Sequence, residues 1–232
     1  MKSTIYLILT VWIIAALSGC STAGQHPFAF KSLAKTDVDM MADANCREID
    51  KLLRKLTLKL YRRNPRELAK GGPYETVDSR MQQIFVQSAV TRFAELNNSY
   101  GTSTIPLAFD PEFGGDRVFA LMTGIRQMLY ASYGYRNDFY ISNELDGQKL
   151  FNSARNLEAI SWRLNNKRDA SGHLFLLSNG YSEDGVANFS YARIFGKLIA
   201  YQEMLAYMMA DKNNRTIKNV VVSVASTALL PI

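Results

Sequence analysis

The sequence predicts an all-α domain of about five to six helices, and three observations carry that reading. Ile49, Leu52, Leu53, Leu56 and Leu60 recur at helical spacing and form one apolar stripe. Helix breakers follow where the stripe ends, first Pro65 and then Gly71-Gly72-Pro73. Late in the chain, Ile194, Phe195, Leu198, Ile199, Met204, Leu205, Tyr207 and Met208 lie nearly all round one helix. That pattern is normal for a helix surrounded by others.

The elements follow in order. A first helix runs from about Asp37 to Arg63, with its apolar stripe on one side and Arg47, Lys51, Arg54, Lys55 and Arg62 on the other. A second runs from about Glu75 to Leu96, with Val77, Met81, Ile84, Phe85, Ala89, Phe93 and Leu96 on one face. Residues 97 to 115 are turn-rich. A third helix starts at Asp116, whose side chain suits an N-cap, and carries Val118, Leu121, Met122, Ile125, Met128 and Leu129. Tyr133 to Asp146 reads as a loop with one short extended piece, Phe139 to Ile141. A fourth helix covers about Gly147 to Asn165. The apolar run Leu174-Phe175-Leu176-Leu177 in the polar stretch after it has two readings, a strand or a loop plug in the core. A fifth helix spans about Ser190 to Ala210, with Ser190 as N-cap. The uncharged run from Val220 to Ile232 is too short to span a bilayer. Burial as a final helix or strand is its expected fate, and an apolar tail for a partner or membrane is the alternative.

The N-terminus carries a different kind of signal. Lys2 gives a positive start, Ile5 to Leu17 is apolar but for Thr10, and Leu17-Ser18-Gly19-Cys20 closes the run. The segment is shorter than the roughly 20 residues a membrane span needs. It shares a charged start and apolar core with secretory signals, but it lacks their A-x-A-like end. It resembles the lipobox of bacterial lipoprotein signal peptides. The resemblance implies a diacylglyceryl thioether on Cys20, cleavage before it, and acylation of the new amino terminus. Three acyl chains exceed the two signals that stable anchoring takes. Ser21, rather than Asp, implies the outer membrane over inner-membrane retention. The chain then divides into a signal peptide (1–19), a lipidated tether (20–36) and a helical domain (37–232). Within that domain, Phe109 to Phe119 and Lys149 to Glu158 look similar to uncharacterised proteobacterial lipoproteins, which brings no activity with it.

Composition bounds the rest. Lys and Arg total 27 against 21 acidic residues. Losing Lys2 with the signal leaves a small basic excess, too little to argue for nucleic acid. If its sulfur carries the lipid as a thioether, Cys20 forms no disulfide, and Cys46 is the one remaining thiol. Lying among Met40, Met41, Ala44 and Ile49, it reads as a buried small apolar residue, with an intermolecular disulfide or a reactive thiol as the alternatives.

Catalytic signatures are sparse. His26 sits in the tether and His173 in a loop near Ser171 and Ser178, without a G-x-S-x-G elbow. Glu183 and Asp184 are the acids that would orient a base there. No His or Cys pair has metal-ligand spacing, and Asn137-Asp138 and Asn143-Glu144-x-Asp146 lack the pattern of a calcium loop. Asp110 and Glu112 read as a solvated turn. Gly114-Gly115-Asp116-Arg117 opens a helix N-terminus, which favours anions, though Asp116 opposes one there. No cofactor is expected. The basic face of Arg47, Lys51, Arg54 and Lys55 has two readings, a solvated helix face or a contact with anionic lipid headgroups.

The expected function is therefore that of a lipid-anchored, periplasm-facing envelope protein, a non-enzymatic adaptor or assembly partner at the outer membrane. Its partners would be the membrane, through Cys20, and an envelope protein. The alternatives are a lipid-handling protein enclosing an acyl chain and a hydrolase using His173.

Overall fold

The computed structural model describes residues 35–140, 144–181, 184–213, 216–218 and 228–232. Cys20, the signal segment and most of the tether lie outside them, as do residues 219–227 of the C-terminal run. Among the described residues the fold is all-α, with six α-helices and a two-stranded hairpin. No described helix is long and apolar enough to cross a membrane.

Helix α1 (Asp37–Arg63) has the bounds its apolar stripe predicts. Thr36 and Asp39 start it with a reciprocal capping box. Lys35, two residues before the helix, pairs with Asp43 within it. Asn64 ends it by donating both its backbone N–H and Nδ2 to Leu60 O, at 2.8 and 2.9 Å. A one-turn helix α2 (Pro65–Leu68) follows, with Pro65 in the first turn where its missing N–H costs nothing.

Helix α3 (Val77–Phe85) is shorter than the second helix the sequence predicts. Gln82 O takes the N–H groups of both Val86 and Gln87, which ends the ladder. Ser88 and Thr91 then close a turn, and Phe93 and Leu96 reach the core from a separate 3₁₀ turn at Ala94–Leu96. Val86, Ser88, Val90 and Thr91 explain the break, since β-branched and hydroxyl side chains favour other conformations than helix.

Helix α4 (Arg117–Ser132) runs through the middle of the core, buried on almost every side. Asp116 is its N-cap, accepting from Phe119 N at 2.9 Å, as expected. Two 3₁₀ turns (Gly101–Ser103 and Ile105–Phe109) lie along it. Gly124 permits that approach, because a Cβ there would meet Ile105 Cγ1 at 2.6 Å.

Helix α5 (Gly147–Asn166) and helix α6 (Ser190–Lys212) make the most extensive helix pair in the fold. A Cβ on Gly147 would stand 2.8 Å from Ala206 O, so a larger residue would force the helices apart. Between them, Phe175 and Leu176 are buried, Leu177 is exposed and Leu174 makes a lone bridge to Arg168, so the run plugs the core with its two middle residues and forms no strand. Asn64 fixes it by accepting Leu177 N at 2.7 Å and donating to Leu177 O at 2.9 Å. The hairpin joins β1 (Gly180–Tyr181) to β2 (Ala187–Asn188), pairing Gly180 with Asn188 and Tyr181 with Ala187. Ser190 is the first residue of α6 rather than its cap; Asn188 Oδ1 accepts from Ser190 N at 3.2 Å and from its hydroxyl. Phe139 and Tyr140 form no strand, and Ile141 lies outside the described residues.

Candidate functional site

The basic face of α1 is partly neutralised by the helix itself. Arg47, Lys51 and Lys55 are exposed, as expected. Yet Lys51 pairs with Glu48 at 2.6 Å and Arg54 with Asp50 at 2.6 Å, at the three- and four-residue spacings that helix pairs favour. The Arg54 guanidinium also lies 4.6 Å from the Phe85 ring centroid, which holds it against the fold. From Asp37 to Arg54 the helix holds three basic and five acidic residues; from Lys55 to Lys70 there are six basic and one acidic. The positive charge therefore gathers at the C-terminal end.

Two clefts open there. One, of about 430 Å³, is lined by Arg66, Lys70, Arg117, Glu67, Asp169 and Phe175, among others. Arg117 is buried; its Nη1 donates to Asp110 O at 2.7 Å and Leu107 O at 3.2 Å, and Phe175 stacks at 4.9 Å. The other, of about 240 Å³, is lined by Lys59, Arg62, Arg63 and Tyr191.

The N-terminus of α4, where the sequence allows an anion, is filled by the chain's own carboxylates. Glu67 is buried and accepts Arg117 N at 3.2 Å and Lys70 Nζ at 2.8 Å, while Asp116 caps the helix. Negative charge here is favoured by the helix dipole.

Behind this lies a buried ionic cluster. Arg80 is 0% exposed and grips Glu95 through two bonds, at 2.7 and 2.8 Å. Its guanidinium lies 4.1 Å from the Phe119 ring centroid and 3.3 Å from Asp116 Oδ2, with Nε lacking an aligned hydrogen bond. Tyr61 donates its hydroxyl to Asp116 Oδ2 at 2.9 Å. Burial pushes the Asp116 carboxyl up to about 6, against the opposing pull of Phe119 N–H, Tyr61 and Arg80. A Cβ on Gly71 would collide with Arg80 Nη2. Every member of the cluster ties one element to another, so its role in the fold is explicit. Sequence reading missed it: Arg80 sits on a helix with polar neighbours, and Glu95 and Asp116 are far along the chain.

Helix α6 does not meet the expectation that other helices surround it. Ala192, Gly196, Ala200, Met204 and Tyr207 recur every three or four residues and are all exposed. Tyr181 and Phe189, 66% and 55% exposed, extend this stripe as an edge-to-face pair with centroids 5.8 Å apart. A Cβ on Gly196 would meet nothing within 4 Å. Nothing in the described fold therefore asks for glycine at this interior position of the helix, where it costs about 1 kcal/mol relative to alanine.

The other sequence candidates do not converge. The His173 side chain is 79% exposed, with Nδ1 4.0 Å from Asp169 Oδ1. That oxygen already accepts Ser171 N and His173 N, both at 2.9 Å, as a loop brace. Ser178 is buried and its hydroxyl points at Leu164 O. Cys46 is half-buried rather than fully buried, and burial first, with the Asp43 charge second, pushes its thiol up to about 12, which disfavours the thiolate. Asp110 caps its own turn by accepting Glu112 N at 3.0 Å. Among the described residues, no group of three or more His, Cys, Asp or Glu side chains is placed to hold a metal.

No protein-family model, curated protein or solved structure matches the chain.

Proposed function

We propose that this chain is a lipid-anchored envelope protein, held by acyl chains on Cys20 at the periplasmic face of the outer membrane, and that its helical domain is a non-enzymatic adaptor. The anchor rests on the lipobox Leu17-Ser18-Gly19-Cys20. The adaptor reading rests on one observation, the exposed stripe of α6. It combines small residues, which let a second backbone come close, with large apolar groups at both ends: Phe189 on one side, Met204 and Tyr207 on the other. Small residues at four-residue spacing let two helix backbones come close, as they do between membrane helices. Exposed apolar surface of this kind marks contact sites on otherwise polar domains. The partner is thus an envelope protein that lays a helix along α6.

In-cell photo-crosslinking tests this. A crosslinking residue at Phe189 or Tyr207 should give one discrete adduct with another protein, and the same residue at exposed Tyr74 should not. Gly196→Leu, which has open space in this fold, should remove the adduct while the domain stays folded. Equal adducts from all three positions, or none from α6, would contradict the adaptor reading.

A further inference from the structure

The concavity at the C-terminal end of α1 stands apart from the α6 stripe and from the structural ion clusters. Lys59, Arg62 and Arg63 bring three positive charges to a space of about 240 Å³. Among the described residues none of the three has a carboxylate partner, whereas Lys51, Arg54, Arg66 and Lys70 each have one; Lys55 is also unpaired but does not line the concavity. Like charges held together at one surface repel each other unless an anion joins them.

Cations are common in the last turn of a helix, where they offset its dipole. That accounts for their being tolerated here, but less for their convergence. Asn64 already satisfies Leu60 O with two hydrogen bonds. Lys59 is instead drawn sideways, its Nζ 4.9 Å from the Tyr191 ring centroid. Tyr191 is buried and donates its hydroxyl to Lys59 O at 2.8 Å, so the wall of the concavity is fixed by a tie between α1 and α6. Arg63 turns toward the hairpin, its Nη2 lying 3.5 Å from where a Cβ on Gly180 would stand. A Cβ there would make only an ordinary contact, so glycine at 180 answers to its backbone φ of +158° rather than to the guanidinium.

We infer that this concavity binds a phosphate group, either free or carried on a lipid headgroup. Two guanidinium forks and one ammonium match tetrahedral oxygens, the forks by paired N–H donors and the ammonium as a point charge. The space is smaller than the roughly 300–1,000 Å³ of drug-sized pockets, which suits a compact anion. The inference does not depend on the adaptor reading or on the lipid at Cys20.

The test uses the full chain in neutral detergent at low salt, with calorimetric titration of three probes: inorganic pyrophosphate, dihexanoyl phosphatidic acid and dihexanoyl phosphatidylcholine. The first two should bind and the third should not. The triple variant Lys59→Gln/Arg62→Gln/Arg63→Gln should lose at least tenfold in affinity. The variant Arg47→Gln/Lys51→Gln/Lys55→Gln removes the same charge from the same helix and should stay within about twofold. Circular dichroism checks that both remain helical. Binding of pyrophosphate and phosphatidic acid alike assigns the site to phosphate itself; binding of phosphatidic acid alone assigns it to the headgroup. Equal losses in the two triple variants, or no binding of either anion, would overturn the inference.

Discussion

Asn156 pairs with Leu230 as one strand pairs with its neighbour. Its Oδ1 accepts Leu230 N at 2.7 Å and its Nδ2 donates to Leu230 O at 3.0 Å. One turn back, Asn152 Nδ2 donates to Pro231 O at 2.9 Å. A further turn back, Gln148 accepts Lys218 N at 2.8 Å and donates to Lys218 O at 3.1 Å. A ladder of side-chain amides on α5 thus holds two pieces of chain that are neither helix nor strand, while Leu229 and Ile232 pack on the core.

Asn156→Ala should therefore lower stability by about 1–2 kcal/mol, since a typical intramolecular hydrogen bond contributes about 1 kcal/mol. A thermal melt would show this as a drop of a few degrees. Deleting 220–232 should cost more, because apolar contacts go as well. A deleted chain that stays soluble and melts unchanged would show that the tail adds nothing to the core.

Arg80→Met should be the most damaging substitution of a single charged side chain. It leaves Asp116 buried and Glu95 half-exposed without their counter-ion. Breaking a buried ion pair on one side costs about 3–5 kcal/mol. Chemical denaturation measures it; a loss below about 1 kcal/mol would mean the cluster is better solvated than its burial indicates.

Asp116 gives the fold a pH signature. Its folded pKa of about 6 lies above its ordinary value of 3.8. The native state then binds the proton more readily, so this group adds stability as pH falls from 7 through 6 toward 4. Asp39 acts oppositely: burial opposes its charge, but bonds from Thr36 and Lys212 outweigh it and hold the carboxyl low. Its contribution is present above its ordinary pKa and lost as pH falls through the folded value. Asp116→Asn keeps a capping side chain. It should change the difference in unfolding free energy between pH 7 and pH 5, removing the gain on acidification. An unchanged pH dependence would place the titration elsewhere.

How much of this was legible in the sequence depended on how local each signal is. The bounds of α1 and the Asp116 cap follow from neighbouring residues, and the structure has both. The pairs on the α1 face were also within reach, since Glu48 and Lys51, and Asp50 and Arg54, stand at helix-pair spacing. The early end of α3 depended on how β-branched and hydroxyl residues compete with a good apolar periodicity. The Arg80 cluster was out of reach because its partners come from elements brought together only by folding. The open face of α6 was hidden for another reason: Ala192, Gly196 and Ala200 suit a packed helix and an exposed one equally well.

Gly196→Ala separates the fold from its contacts. In the isolated protein it should raise stability by up to about 1 kcal/mol, because alanine favours helix and its Cβ meets nothing. In cells it should weaken the crosslink to the partner, because the new methyl stands where a second backbone would lie. A loss of stability would mean that Gly196 serves the fold itself.

The anchor is the claim from which the location, and with it the class of partner, follows. Metabolic labelling with an alkyne fatty acid, comparing the unaltered chain with Cys20→Ser, tests it most directly. The account predicts label and membrane retention for the unaltered chain, and loss of both for the variant. Undiminished label on Cys20→Ser, or an unaltered chain that takes up none, would contradict it.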